Sequence, residues 1–372
     1  MPRFLHTADW QIGRQFASFT PENAHPLAEA RTAAVERLAQ LANEHQVDAV
    51  LVAGDVFDAQ TVSDRTIRRL FNALAAYRGH WVFIPGNHDA ALAESVWTRA
   101  VRLGAVPDNA HLALKPEALV LNDIGVAVLP APLTQRHTHG DLTAWFDNAA
   151  TPAGHLRIGL GHGSVQGILA DTIDSTNPVA PDRAERARLD YLALGDWHGC
   201  KCINARTWYS GTPEPDRFKD NESGRALLVE IPAVGVEPVV TPLLTAQYRW
   251  HALSANLSVA SDLDVLLDRL AAMGPNDVVE LTVSGELDLV GQQGLDAALG
   301  LAEAHTRHLQ VDRSALRLLP TDEDIASLHA DGYLSEVIAQ LRAAQSQGGD
   351  EARTAQDALA ILATELAAGA KA

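Results

Sequence analysis

The sequence predicts an α/β chain: a two-sheet α/β sandwich, then a small α+β domain and a helical C-terminal segment. Three observations carry this. The first hundred residues alternate short apolar runs with helical patterns, an order that predicts parallel strands with helices packed against a sheet. From about 110 to 231 short apolar runs follow one another, which predicts a second sheet. Beyond about 250 one helical pattern, one strand, another helix and another strand follow, and from 321 the chain is rich in Ala, Glu and Gln.

Taken in order, RFLHTAD reads as a strand, and NAHPLAEARTAAVERLAQLANEHQ as an amphipathic helix with Leu27, Ala30, Ala34, Leu38 and Leu41 on one face. VDAVLVAGD is a strand, and SDRTIRRLFNALAAYR a helix with Ser63 as its N-cap. WVFIPGNHD is a third strand, and AESVWTRAVRLG a third helix ended by Gly104. LALKPEALVLNDIGVAVLPAP reads as consecutive strands turning near Asn122–Gly125, and RIGLGHG, YLALGDWHG, TWYSG and GRALLVEI continue the β texture. A helical pattern is expected from Ser254 to Leu270, a strand at DVVELTVSGEL, a helix at GQQGLDAALGLAEAHTR and a strand at HLQVDRSALRLLP. SQGGDE splits the last segment into two helices, and the tail after Gly369 is expected to fray. The domain bounds are placed at 1–245, 246–320 and 321–372. No internal repeat is visible.

The chain of 372 residues is long enough for two or three domains, and its 47% hydrophobic and 20% charged residues are ordinary for a globular protein. The net charge of −18 argues against non-specific nucleic-acid binding through a general basic surface. A local basic patch, or a metal site that binds phosphate, stays compatible with it. Cys200 and Cys202 are one residue apart, a poor spacing for a disulfide and too few ligands for a zinc site, so free thiols in a reducing cytosol are expected. With no signal-like start and no apolar run near the roughly 20 residues of a membrane span, a cytoplasmic protein without a membrane segment is expected.

Five apolar runs end in a polar cluster: TADWQ, AGDVFD, PGNHD, GHGS and GDWHG. Strand ends are where α/β sheets bind ligands. The donors are oxygen and imidazole with no thiolate, a set that suits Mn²⁺, Fe²⁺, Zn²⁺ or Mg²⁺. One Gly-Asp at a strand end is an ordinary turn or cap. Five such clusters in this order point to one shared site.

Asp9, GDVFD, GNHD, GHG and GDWH together resemble the calcineurin-like metallophosphoesterases. Within them the chain is most similar to the Mre11/SbcD branch of DNA repair nucleases, through FLHTADWQIG, VLVAGDVFD and YSGTPEPDRF. The resemblance covers about residues 1–245, and the next segment fits that branch's cap domain without a sharp motif. It implies two divalent ions, most readily Mn²⁺. One would be held by Asp9, Gln11, Asp55 and His198, the other by Asp55, Asn87, His162 and Asp196, with Asp55 bridging. It implies hydrolysis by a hydroxide activated between the ions. His88 would protonate the leaving oxygen or stabilise the transition state, with Asp89 orienting it. Asp58 falls near the site or caps a helix, and Gly54, Gly86 and Gly161 would permit tight turns.

Two positions depart from the family pattern. Gln11 stands where His is usual, and Asp196 where the last motif has His. Both move the site towards oxygen donors and harder ions, and Gln11 is expected to leave its ion the more weakly held. Three carboxylates against two divalent ions leave a formal charge of +1 instead of +2.

Arg65, Arg68 and Arg69 form either a solvated helix face or a phosphate contact. Trp10 and Trp197 either stack on a base or pack in the fold, and Arg217, Phe218 and Lys219 lie where they could touch substrate. His137 and His139 read as solvated loop residues.

The leading reading is a metal-dependent phosphodiesterase acting on DNA as exonuclease or endonuclease. The resemblance implies a Rad50-like, SMC-like coiled-coil ATPase partner docked through C-terminal helices, and a homodimer formed through helices of the phosphoesterase domain. Such a partner would supply DNA grip that the −18 charge does not. One alternative is a phosphodiesterase for a small nucleotide diester. Another is a catalytically weakened regulatory partner of the ATPase, which Gln11 alone supports.

Overall fold

The computed structural model describes residues 2–168, 176–327 and 332–369, so the tail after Gly369 lies outside the described residues. The chain divides into two compact units, Met1–Arg249 and Trp250–Ala372.

The first unit begins with β1 (Arg3–Thr7), α1 (Pro21–Glu44), β2 (Ala49–Ala53), α2 (Asp64–Ala73), β3 (His80–Ile84), α3 (Val96–Arg102) and β4 (Ala110–Leu112). It continues through β5 (Leu119–Leu121), β6 (Val126–Ala131), β7 (Leu156–His162), β8 (Ser164–Val165), β9 (Pro178–Val179), α4 (Arg183–Arg186) and β10 (Tyr191–Gly195). It closes with β11 (Lys201–Asn204), β12 (Thr207–Tyr209), β13 (Arg225–Glu230) and β14 (Val239–Leu244).

Two six-stranded sheets result, ordered β14-β13-β1-β2-β3-β4 and β11-β12-β10-β7-β6-β5. β1 to β4 run parallel, and so do β6, β7, β10 and β12. Parallel strands need crossovers, and α1, α2 and α3 supply them in the first sheet. The apolar stripe of α1 is buried at Leu27, Ala30, Ala34, Leu38 and Leu41. The Ser63 side chain accepts the Thr66 N–H and caps α2, and Asn122–Gly125 turns β5 into antiparallel β6. Phe4, Leu51, Val82 and Ile84 of the first sheet meet Val128, Ile158, Leu160 and Tyr191 of the second in the core between them. The helices α1–α3 pack on the outer face of the first sheet only. The second sheet's outer face is covered by short segments carrying Phe146, Ala184 and Ala187.

One polar bridge crosses this core. His6 Nδ1 lies 2.9 Å from the Tyr191 hydroxyl and Nε2 lies 3.2 Å from the Leu194 carbonyl. A carbonyl only accepts, so Nε2 carries the proton and Nδ1 accepts from Tyr191. Burial holds His6 down to about pKa 3, from 6.5, with the Leu194 bond pulling back. The folded state thus favours the neutral ring. Its contribution is full above pH 6.5 and is lost as pH falls towards 3, because only the unfolded chain takes up the proton. The stability advantage of wild type over His6→Gln should shrink by about 1.4 kcal/mol per pH unit below 6. Urea unfolding at several pH values checks this, and a constant difference would contradict it.

The second unit holds β15 (Arg249–Leu257), α5 (Ala260–Ala271), β16 (Asp277–Leu287), α6 (Leu289–His305), β17 (His308–Leu318), α7 (Asp322–Ser327), α8 (Tyr333–Gln345) and α9 (Gly349–Gly369). Its sheet is ordered β15-β16-β17. The helix expected from Ser254 begins instead at Ala260. His251, Leu253, Ala255 and Leu257 turn inward while Ala252, Ser254 and Asn256 are more exposed, a period of two that a strand satisfies. The break between α8 and α9 falls at SQGGDE. Ile325, Ile338 and Leu359 form a separate small core for the terminal helices.

Candidate metal centre

The candidate ligands gather at the C-terminal ends of parallel strands from both sheets. Asp9 and Gln11 follow β1, Asp55 follows β2, Asn87 follows β3, His162 ends β7, and Asp196 and His198 follow β10. The loops are held in sparsely populated backbone conformations: φ is +55° at Asp9, +48° at Gln11, +53° at Asp55 and +92° at Asp196. Strain of this kind persists where surrounding structure over-determines it, and it concentrates at functional sites. Asp9 N–H donates to Gly54 O, and Gln11 N–H to Asp55 O, which lock the first two loops together.

Two glycines make room. Gly54 has φ +88°, and a Cβ there would sit 2.3 Å from His162 Nδ1. A Cβ on Gly86 would sit 2.2 Å from Asp55 Oδ1, so that glycine serves close approach. Gly161, expected in a turn, lies inside β7.

Asp9, Asp55 and His162 are buried, with one donor atom of each lying within 4.8 Å of the others. His162 Nε2 lies 3.0 Å from Asn87 Oδ1, 3.5 Å from Asp55 Oδ1 and 3.7 Å from Asp196 Oδ1. Neighbouring ligands around an ion with bonds of about 2.1 Å stand about 3 Å apart. His162 Nδ1 is 2.7 Å from the Ala53 carbonyl, which takes the ring's proton and leaves Nε2 as the donor atom.

The donor set fits a divalent cation on three further counts. Asp9 Oδ2 and Gln11 Oε1 are buried acceptors with no hydrogen-bond partner. The Asn87 oxygen faces only acceptors, 3.1 and 3.0 Å from the two Asp55 oxygens, a meeting that either a cation or a turned amide resolves. The electrostatics agree. Burial pushes Asp9 up to about pKa 6, with His198 and His162 pulling it back. Burial opposes protonation of His162, yet Asp55, Asp196 and Asp9 outweigh it and raise the ring to about 9. The carboxylates that draw a proton also draw a cation.

Gln11 Nε2 donates to Asp55 Oδ2 at 2.9 Å, so the amide braces that carboxylate while its oxygen, the expected ligand atom, has no hydrogen-bond partner. Asp89 was expected to orient His88, and it does not. It is buried and accepts from the backbone of Gly86, Val56 and Phe57, tying the β3 loop to the Asp55 loop. Burial, then the charge of Asp55, pushes it up to about pKa 7. His88 is oriented by the Asp58 carbonyl, 2.8 Å from Nδ1, leaving Nε2 facing inward 3.9 Å from Asp55 Oδ2. Asp58 is therefore near the site and is not the cap of α2, which is Ser63.

His198 stands 3.1 Å from Asp216 Oδ2 through Nδ1. Burial works against that carboxylate, but His198 and Arg217 hold it far below the usual range. Arg217 reaches the site's edge, its Nη2 2.9 Å from His198 Nδ1. Arg65 and Arg68 lie exposed on α2, and among the described residues no hydrogen bond or ion pair ties Arg65 to the ligands. Arg69 pairs with Glu29. Trp10 is core, edge-on to Trp81 and Phe83. His137 and His139 are exposed, and Cys200 and Cys202 are free.

Arg31 is the residue that sequence reasoning missed. It is 1% exposed and donates to the Trp10, Asp9 and Glu214 carbonyls at 2.6, 3.0 and 3.0 Å and to Thr212 Oγ1 at 2.9 Å. The signal was a charged residue one position after Ala30, on the apolar face of α1.

A family model described as calcineurin-like phosphoesterase matches residues 2–200. The chain is 28% identical over 328 residues to the SbcD subunit of the nuclease SbcCD from Escherichia coli K12, covering 72% of this chain and 78% of that protein. It is 24% identical over 327 residues to the Bacillus subtilis protein of the same name, covering 77% and 81%. With the Rhodobacter capsulatus protein of that name it shares 42% identity over 94 residues, 24% of this chain and 22% of the other. Among the described residues no helix is long and apolar enough to cross a membrane. With its ligand-bearing strand ends inside the matched segment, the chain belongs to the calcineurin-like phosphoesterase family, hydrolases of phosphoric esters.

Proposed function

We propose that this chain is a two-metal phosphodiesterase that cleaves DNA in repair, as the nuclease subunit beside a coiled-coil ATPase. The observation that carries the reading is the convergence of Asn87, Asp55 and Asp196 on His162 Nε2, with a ligand atom of Asp9 within 4.8 Å of Asp55 and His162 and with Gln11 bonded to Asp55. The names of the relatives, a nuclease and a subunit, support DNA as substrate and a partner protein. Homodimerisation belongs to the same reading.

Bound divalent ions, Mn²⁺ by the donor set, supply an acidified water and charge neutralisation at the phosphoryl oxygens. Asp9, Asp55 and Asp196 set the charge of the pocket. Gln11 and the His88 N–H fix the two Asp55 oxygens, at 2.9 Å each. His88, with Nδ1–H on the Asp58 carbonyl, can carry a proton on Nε2 and give it to the leaving oxygen. Asp89 keeps the Asp55 and His88 loops in register through the backbone.

Mn²⁺-dependent hydrolysis of single- and double-stranded DNA, beside bis-p-nitrophenyl phosphate, tests the reading. Wild type should degrade both kinds of substrate, and His88→Ala should lose about 10²-fold or more in kcat. Cleavage of the small diester alone would transfer the assignment to small nucleotide diesters. No Mn²⁺-dependent hydrolysis of any diester would leave a regulatory subunit.

A further inference from the structure

Four lysines, Lys115, Lys201, Lys219 and Lys371, stand among the chain's 29 Lys and Arg residues. Two of the four meet on one indole. Lys219 Nζ lies 4.1 Å and Lys201 Nζ 5.7 Å from the ring centroid of Trp197. Trp197 stands between Asp196 and His198 in sequence, two candidate ligands, and Arg217 of the loop that bears Lys219 lies 2.9 Å from His198 Nδ1.

The indole is half-buried and packs against the core beneath the second sheet, which fixes its place. The loop bearing Lys219 is pressed onto the loop bearing Trp197. A Cβ at Gly199 would fall 2.2 Å from Asn221 O and 2.8 Å from Trp197 Nε1. Arg217, two residues before Lys219, has a side chain 47% exposed beside His198. In a chain of net charge −18 the two lysines meet on this indole, although the loop that bears Lys219 also carries Asp216, Asp220 and Glu222.

The residue type is informative. An arginine would stack flat on the indole and stay there. A lysine is a compact charge on a flexible stem, weakly held by the ring face at an exposed site and free to turn to a phosphate. Bases stack on such faces whatever their identity.

We propose that Trp197 seats the base beside the scissile phosphate, while Lys219 and Lys201, displaced from the ring, hold the flanking phosphates. This rests on the DNA-cleaving reading and deepens it: the substrate is a polynucleotide strand that extends past the reacting phosphate, read without sequence preference.

The test compares kcat/KM for a single-stranded oligonucleotide with that for bis-p-nitrophenyl phosphate. In Trp197→Ala the ratio of the two should fall about tenfold or more, and Trp197→Phe should recover most of it. Lys219→Gln and Lys201→Gln, away from the ligands, should each flatten the log–log salt dependence of oligonucleotide cleavage by about 0.7. A ratio within about twofold of wild type in Trp197→Ala, or equal loss on both substrates, overturns the proposal, and so do wild-type salt slopes in both lysine variants. A wild type that cleaves the oligonucleotide in those cases leaves the DNA reading standing. A wild type that hydrolyses only the small diester overturns both.

Discussion

Asp55→Asn is expected to lower Mn²⁺-dependent kcat/KM on bis-p-nitrophenyl phosphate by about 10³-fold or more. The scale follows from several kcal/mol of Lewis-acid stabilisation, each 1.36 kcal/mol being a factor of ten. The geometry says why one carboxylate matters so much. Asp55 Oδ1 accepts from the His88 N–H and Oδ2 from Gln11 Nε2, each at 2.9 Å, and both oxygens stand about 3 Å from the Asn87 oxygen. An amide offers one oxygen and turns an NH₂ group towards one of those donors. It can neither bridge two cations nor keep both braces. Thermal unfolding with and without Mn²⁺ separates this from misfolding. Wild type should gain about 2.7 kcal/mol at a hundred times the dissociation constant, and the variant should lose most of that gain. Activity within about tenfold of wild type would remove Asp55 from the centre of the mechanism.

The second large effect is expected far from the substrate, at Arg31→Met. The carbonyls of Asp9 and Trp10 would lose their side-chain donor inside the fold, and the Glu214 carbonyl would keep only the Thr212 hydroxyl. Each buried acceptor left without a donor costs about 1–3 kcal/mol, so a loss of about 2–5 kcal/mol is expected. The same guanidinium ties the Asp9 loop to the 212–214 segment, so Mn²⁺ affinity should also fall, by about 10–100-fold as for outer partners of metal ligands. Arg31→Lys should recover only part, since one ammonium cannot span the fork. Denaturant unfolding and metal titration read the two effects. Stability within about 1 kcal/mol of wild type and unchanged affinity would contradict the account.

Legibility in the sequence followed physical rules. The sheets and α1–α3 were readable because apolar spacing has a period, and the candidate ligand positions because each apolar run stops abruptly at a polar cluster. Side-chain direction within a loop has no period. Asp89 follows His88 in sequence, yet its carboxylate turns back to three backbone N–H groups. Gln11 carries both a donor and an acceptor, and only the neighbouring Asp55 decides which one faces it. The misread start of α5 has the same origin. RWHALSANL fits a short helical pattern as well as a strand until its alternating burial is seen. Arg31 was hidden because a helix stripe is read from its apolar members.

Crystals equilibrated with limiting Mn²⁺, examined by anomalous diffraction, would show whether Asp55 bridges two ions. Two peaks about 3.5–4 Å apart are expected, one on each side of the Asp55 carboxylate. The peak among Asn87, His162 and Asp196 should fill before the peak beside Asp9 and Gln11. Manganese that touches neither oxygen of Asp55 would contradict the bridging role.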